Sequence, residues 1–253
     1  MKITPSQLKV LAIDIGGSHV KATVLDDKGV LLMNYSKVVT PLPANPDNMV
    51  EAIKTLTKDF PEYNRISVGF PGYVRDGIVK TAPNLDNDSW ANFNLAKKLE
   101  EVLGKPARVV NDADMQGLGV VDGKGLELVL TLGTGYGTAL LLDGKLLPHL
   151  EVGQSPVTKT KSYDNYIGEK AFETEGKKEW NERLKIVLKN MQTLFNFDYL
   201  YIGGGNAREI NFELDKNVKI ISNKDGIKGG TRLWTADTDP MPVVPSSTIK
   251  LSN

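Results

Sequence analysis

The chain has 253 residues, with 31 Lys and Arg against 31 Asp and Glu, a net charge of zero and no cysteine. That length suits two lobes of about 100–150 residues each, and 40% apolar with 25% charged residues is the composition of a soluble globular protein. Zero net charge argues against a nucleic-acid partner, although a local basic groove stays open; the absence of cysteine excludes disulfides and thiolate-bound zinc, and His19 and His149 are too few to build zinc another way.

The first residues, MKITPSQLKV, carry no apolar signal-peptide core, and no run approaches the ~18 apolar residues of a membrane span. A cytoplasmic protein with no membrane partner is expected. LAIDIGGSHVKATVLDDKG (11–29) is the first patterned stretch. An apolar run reaches Asp14, then come Gly16, Gly17 and Ser18, and alternation resumes through Val20, Ala22 and Val24. This predicts a strand, a tight glycine turn and a second strand. No helical period follows, so neither a Rossmann nor a P-loop reading applies. Glycine N–H groups at a hairpin tip can still nest a phosphate. Asp14 would then face that phosphate, which calls for a cation between them: Mg2+, held through water. An ordinary turn, with glycines placed for geometry alone, is the competing reading of this stretch.

Residues 30–39 (VLLMNYSKVV) predict a third strand that completes an antiparallel meander. After Pro41, Pro43 and Pro46, Val50, Ile53, Leu56 and Phe60 fall at helical spacing within 48–60. RISVGFPGYV (65–74) predicts a buried strand, 78–83 a short return strand, 94–104 a helix closed by Gly104, and ARVVNDAD (107–114) another strand. Gly117, Gly119, Gly123 and Gly125 read as helix breakers near the boundary between lobes.

LTLGTGYGTALLLDGK (130–145) repeats the first hairpin, with Gly133 on Gly16, Ala139 on Ala22, Leu142 on Leu25 and Asp143 on Asp26. The repeat predicts a duplicated β-meander, its two phosphate-holding tips facing each other across a cleft. The expected lobes are 1–115 and 116–234. In the second, 146–154 predicts a third strand, 155–164 a polar loop, 166–176 a helical stretch, and 177–195 a helix with Trp180, Leu184, Val187, Leu188, Met191 and Leu194 on one face. FDYLYIGGGNA (197–207) predicts a buried strand ending in three glycines, 217–223 the last strand, and 224–234 the start of a closing helix. The tail 235–253 has three prolines and no periodicity, so it is expected to be poorly ordered or laid over the surface.

The paired hairpins resemble the actin, hexokinase and heat-shock-70 ATPase superfamily. DIGGSHVKA (14–22), GFPGYV (69–74), PNLDNDSW (83–90), NDADMQGLG (111–119), LTLGTGYGTALLLDGKLLP (130–148), HLEVGQ (149–154) and YIGGGNA (201–207) narrow this further. In that order they resemble the ROK sugar kinases, and among them the polyphosphate-dependent glucokinase branch. The resemblance implies an α/β, two-lobed actin-like ATPase (ribonuclease H-like) fold. It also implies phosphoryl transfer from polyphosphate or ATP, with Mg2+, to a hexose such as glucose, by a homodimer.

On the same resemblance Asp112 is the catalytic base, and Gly72, Asn84, Asn111, Asp112, Glu151 and Gln154 bind sugar. Gly16, Gly17, Ser18, Lys21, Gly133, Thr134 and Gly135 cradle phosphates with Asp14, and Gly203, Gly204 and Gly205 lie on the nucleotide side. Without it, Asn111-Asp112-Ala113-Asp114 reads first as a helix cap, and Trp90 as core or as a shield over the sugar. His19 reads as a hairpin-tip residue or a contact to the phosphate chain. Two departures stand out. The family's Glu-x-Gly-His ends here in Gln154, and its cysteine cluster is missing, so no zinc site is expected. Polyphosphate would favour a basic track, for which Lys21, Lys159, Lys161, Lys224, Lys228 and Arg232 are candidates. A catalytically impaired sugar- or nucleotide-binding relative is the alternative, kept open by Gln154. A sugar-responsive repressor would need a DNA-binding segment ahead of Leu11, and only ten residues precede it here.

Overall fold

A computed structural model describes residues 8–222 and 226–235. The tail 235–253 was expected to lie loosely, and all of it after Thr235 is outside the described residues, as is Lys224.

β1 (Val10–Ile15) is buried at every position except Asp14, as an apolar run between two neighbours should be. It pairs antiparallel with β2 (His19–Leu25), Ile15 opposite Val20, so that Gly16, Gly17 and Ser18 form the hairpin tip. β3 (Ser36–Val39) pairs with β2 and is shorter than expected, since Val30–Tyr35 makes only an isolated bridge at Leu31. α1 (Pro46–Thr57) starts where Asn45 Oδ1 accepts from Asn48 N at 3.0 Å, with Pro46 in the first turn. It buries Met49, Val50 and Ile53 on the sheet, each worth roughly 1.5–3 kcal/mol.

β4 (Arg65–Phe70) runs parallel to β1. β5 (Val74–Arg75) and β6 (Ile78–Val79) form a small hairpin beyond it. The short α2 (Asn87–Trp90) ends on Trp90, which is fully buried, packs 4.7 Å from Phe70 and donates Nε1 to Ala44 O at 2.7 Å. Trp90 is therefore core and does not shield the cleft. α3 (Leu95–Leu103) ends at Gly104, φ +70°, and leads into β7 (Ala107–Asn111), parallel to β4.

α4 (Asp112–Val120) follows at once. Strand was expected to continue to Asp114, and Gly117 and Gly119 to break helices. Instead both glycines lie inside this helix, because it is buried between the sheets. A Cβ on Gly117 would sit 3.0 Å from Ala139 Cβ, so glycine there lets helix and sheet touch.

β8 (Leu126–Leu132) and β9 (Tyr136–Leu142) form the second hairpin, tipped by Gly133, Thr134 and Gly135. β10 (Lys145–Leu146) is all that remains of the third strand expected over 146–154; Val152–Gln154 is a single 3-10 turn that bends the chain back to the cleft. α5 (Tyr163–Ile167) begins within the expected loop, where Ser162 caps it. α6 (Glu169–Phe195) breaks at Gly176, φ +78°, and then buries Trp180, Leu184, Val187 and Met191. Leu194, expected on that face, is 64% exposed. β11 (Tyr199–Gly203) and β12 (Val218–Ile220) complete the second sheet, both parallel to β8.

The two sheets have one plan, β3-β2-β1-β4-β7 and β10-β9-β8-β11-β12, with three antiparallel strands followed by two parallel ones. Each has its own apolar cluster, and a third lies around α4. α7 (Gly229–Thr235) comes from the second half of the chain but packs on the first sheet. Ser67 Oγ donates to Gly230 O at 2.6 Å and accepts from Trp234 Nε1 at 2.9 Å.

Candidate active site

Both hairpin tips open into one cleft of about 830 Å³. Thr40 braces the first tip, its Oγ1 donating to Gly16 O at 2.6 Å and its N–H to Ser18 O at 3.0 Å. Glu169 N, at the start of α6, donates to Gly133 O at 2.8 Å in the second. Gly16, Gly17, Ser18, Gly133, Thr134 and Gly135 all line the cleft, with Asp14 and Lys21. Lys21 Nζ is 3.8 Å from Asp14 Oδ2. Burial raises the Asp14 pKa, and Lys21 offsets part of that.

Asp112 lies where β7 gives way to α4, at the cleft wall. Ala113 N donates both to its Oδ1 and to Asn111 Oδ1, each at 2.8 Å. Asn111 thus caps the helix, and both Asn111 and Asp112 line the cleft. Burial, then the charges of Asp14, Asp114 and Glu151, push the Asp112 carboxyl up to about 7, against the Ala113 N–H. Asn111 Nδ2 donates to Gly72 O at 3.0 Å, tying the Gly72 loop to α4. Gly72 has no room for a side chain: a Cβ would lie 2.1 Å from Thr81 O. Asn84 lines the cleft beside the first tip, its carbonyl 3.7 Å from where a Cβ on Gly17 would stand.

Glu151 and Gln154 enter from the bent segment after β10. Gln154 Nε2 donates to Asp164 Oδ2 at 2.5 Å, and Asp164 Oδ1 accepts from Tyr136 N at 2.6 Å. Asp164 therefore fixes Gln154 to the second hairpin, and it lines the cleft itself. Sequence reasoning missed it inside a polar loop; the Ser-Tyr-Asp-Asn start of a capped helix was the available signal. Asp114, His149 and Gln116 were missed as well. Gln116 stands one turn after Asp112 and lines the cleft.

Of the three glycines expected to lie on the nucleotide side, Gly204 and Gly205 line the cleft, whereas Gly203 is set back against Gln116, whose Nε2 is 2.7 Å from the position of a Gly203 Cβ. Three of the described candidates for a basic track have separate surroundings. Lys21 is in the cleft, but Lys161 pairs with Glu175 at 3.2 Å, and Arg232 Nη1 donates to Leu118 O and Val121 O at 2.8 and 3.2 Å. Among the described residues no cluster of three metal-ligating side chains forms.

The arrangement, a raised-pKa acid between two glycine tips, suits transfer of an anionic group to a hydroxyl. Comparison with known proteins agrees. The chain is 31% identical over 250 residues to the polyphosphate glucokinase of Mycobacterium tuberculosis, covering 89% of this chain and 91% of that protein. Its fold matches the inorganic polyphosphate/ATP-glucomannokinase of Arthrobacter sp. strain KM, with TM-score 0.79, 32% identity, and 89% and 98% of the two chains covered. At 21% identity the fold of a ROK family glucokinase from Streptomyces griseus, solved with glucose and AMPPNP, also matches, with TM-score 0.73 and 89% and 98% covered. The two-lobed actin-like fold that the resemblance implied is therefore the fold observed. The ROK family model matches residues 10–152, from β1 through the turn that carries Glu151, and the chain belongs to the ROK family.

Proposed function

We infer that this chain is a sugar kinase that transfers a phosphoryl group from polyphosphate, ATP or both to a hexose, forming glucose 6-phosphate from glucose. The observation that carries this is Asp112, held near neutrality in pKa at the wall of a cleft lined by both glycine tips. Its carboxylate takes the proton of the attacking hydroxyl, the sugar oxygen bonds to phosphorus, and the bridging oxygen leaves with the rest of the donor. Gly72, Asn84, Glu151 and Gln154 are proposed to hold the other hydroxyls, joined by Asp164. Asn111 accepts a hydroxyl with the lone pair that Ala113 N leaves open. Gly16, Gly17, Ser18, Gly133, Thr134 and Gly135 are proposed to bind the transferred phosphate, with Lys21 as charge partner, and Gly203–Gly205 to lie on the nucleotide side.

The mutual field of Asp14 and Asp112, which helps raise the Asp112 pKa, fits a cation between donor and protein. We propose Mg2+ there, with Asp14 holding it through water; it would neutralise charge on the donor oxygens. A site made by few protein ligands is how Mg2+ is usually held. Both acids are present in the cleft, which favours an active kinase over an impaired relative.

We also propose a cytoplasmic homodimer in which each chain divides into lobes 1–115 and 116–234, with α7 crossing back onto the first. No helix among the described residues is long and apolar enough to cross a membrane, and Ile186 and Leu194 leave apolar surface on α6 for a second copy. A coupled assay of several hexoses with ATP and polyphosphate in parallel tests the reading. Hexose 6-phosphate should form with at least one donor, and turnover of no hexose with either would overturn it.

A further inference from the structure

Beneath the sugar side of the cleft is an ion-pair cluster in which Glu151 meets two buried groups, His149 and Asp114, that the proposed reaction does not use directly. The His149 side chain, between β10 and the turn at Val152–Gln154, is only 4% exposed, and that of Asp114 on α4 only 5%. His149 Nδ1 is 3.0 Å from Asp114 Oδ2, and Nε2 is 3.7 Å from Glu151 Oε2. Both contacts are ion-pair distances: among the described residues neither ring nitrogen, nor Glu151 Oε2, has a hydrogen-bond partner, which leaves electrostatic pairing to satisfy them. One ring face stacks on Tyr73, the residue after Gly72, at 5.9 Å between centroids and 22° between planes. One imidazole therefore touches three elements of the sugar site: the helix carrying Asp112, the turn carrying Glu151 and the Gly72 loop.

We propose that His149 is a positioning residue, locking the Glu151 carboxylate to Asp114 so that the sugar-contacting acid and the base on α4 keep one spacing. This rests on the sugar-kinase reading. Burial opposes charge on the ring, but Asp114 and Glu151 outweigh it and push its pKa up to about 10, so the clamp is charged across the working range. The acids facing the ring are Asp114 from α4 and Glu151 from its own segment, and the Glu151 charge is felt in turn by Asp112 and Asp164. No lysine or arginine is paired with Asp114 or Glu151 among the described residues, so His149 is their counter-charge.

Asparagine at this position keeps an N–H near Nδ1 and loses the one at Nε2, while glutamine does the reverse. His149→Asn should raise the hexose KM about 10-fold or more, with a smaller change in kcat and none in the donor KM, as breaking a buried ion pair would. His149→Gln should raise it less. Equal hexose KM in wild type and both variants would overturn the proposal. A second readout needs no turnover: imidazole NMR titration, with His19→Gln to assign the two histidines. His149 should stay protonated above about pH 8, and Glu151→Gln should lower its titration point by about one unit. Titration near the ordinary value of about 6.5 would overturn the clamp even if His149→Asn fails to fold. If the wild type phosphorylates no hexose, the kinase reading fails and the NMR titration still decides the clamp.

Discussion

Asp112 keeps its proton to about pH 7, because burial and then the charges of Asp14, Asp114 and Glu151 all disfavour the carboxylate. Unfolded, the same group ionises near 3.8. Between those values the folded state binds the extra proton, so this residue's contribution to stability falls as pH rises across that window. Asp112→Asn removes the penalty. Its melting temperature relative to wild type should therefore improve between about pH 4 and about pH 8, and thermal scans showing a constant difference would rule this out. In wild type the acid limb of kcat/KM should lie near 7. Gly204 is a different kind of residue-scale constraint: φ is +91° and a Cβ would stand 2.1 Å from Leu132 O. Gly204→Ala should cost about 2–3 kcal/mol in urea unfolding. Gly205→Ala, with nothing within 4 Å, should cost under about 0.5 kcal/mol.

At the scale of elements, the hairpins were legible because period-two alternation around Gly16 and Gly133 repeats in the chain, and local pattern is enough to specify a hairpin. α4 was not legible. Two glycines within one short buried helix defeat a propensity reading, and what Gly117 serves is contact with β9, which no local window contains. Asp164 and His149 were hidden for the same reason, since their partners Gln154, Asp114 and Tyr136 meet them only through the bend after β10. Arg232 shows the converse. A charge assigned to a polyanion track instead caps the carbonyls at the end of α4 from α7. Arg232→Ala should lower stability by about 1–3 kcal/mol, the cost of orphaned carbonyls, with the ratio of ATP to polyphosphate turnover unchanged. A change in that ratio would return Arg232 to the donor path.

For the whole molecule, two sheets of one topology put both tips and Asp112 on one cleft, with α4 and α7 packed between them. If Asp14 holds Mg2+ through water, exhaustive chelation should abolish transfer and added Mg2+ restore it, and undiminished activity in chelator would remove the ion from the mechanism. Of the suggested track, Lys21 alone lines the cleft among the described residues. The most direct measurement is the turnover of Asp112→Asn on its best hexose, with sugar binding followed in parallel by calorimetry. A base at Asp112 predicts turnover lowered about 10²–10⁴-fold with hexose affinity retained. Near-normal turnover in that variant would contradict it.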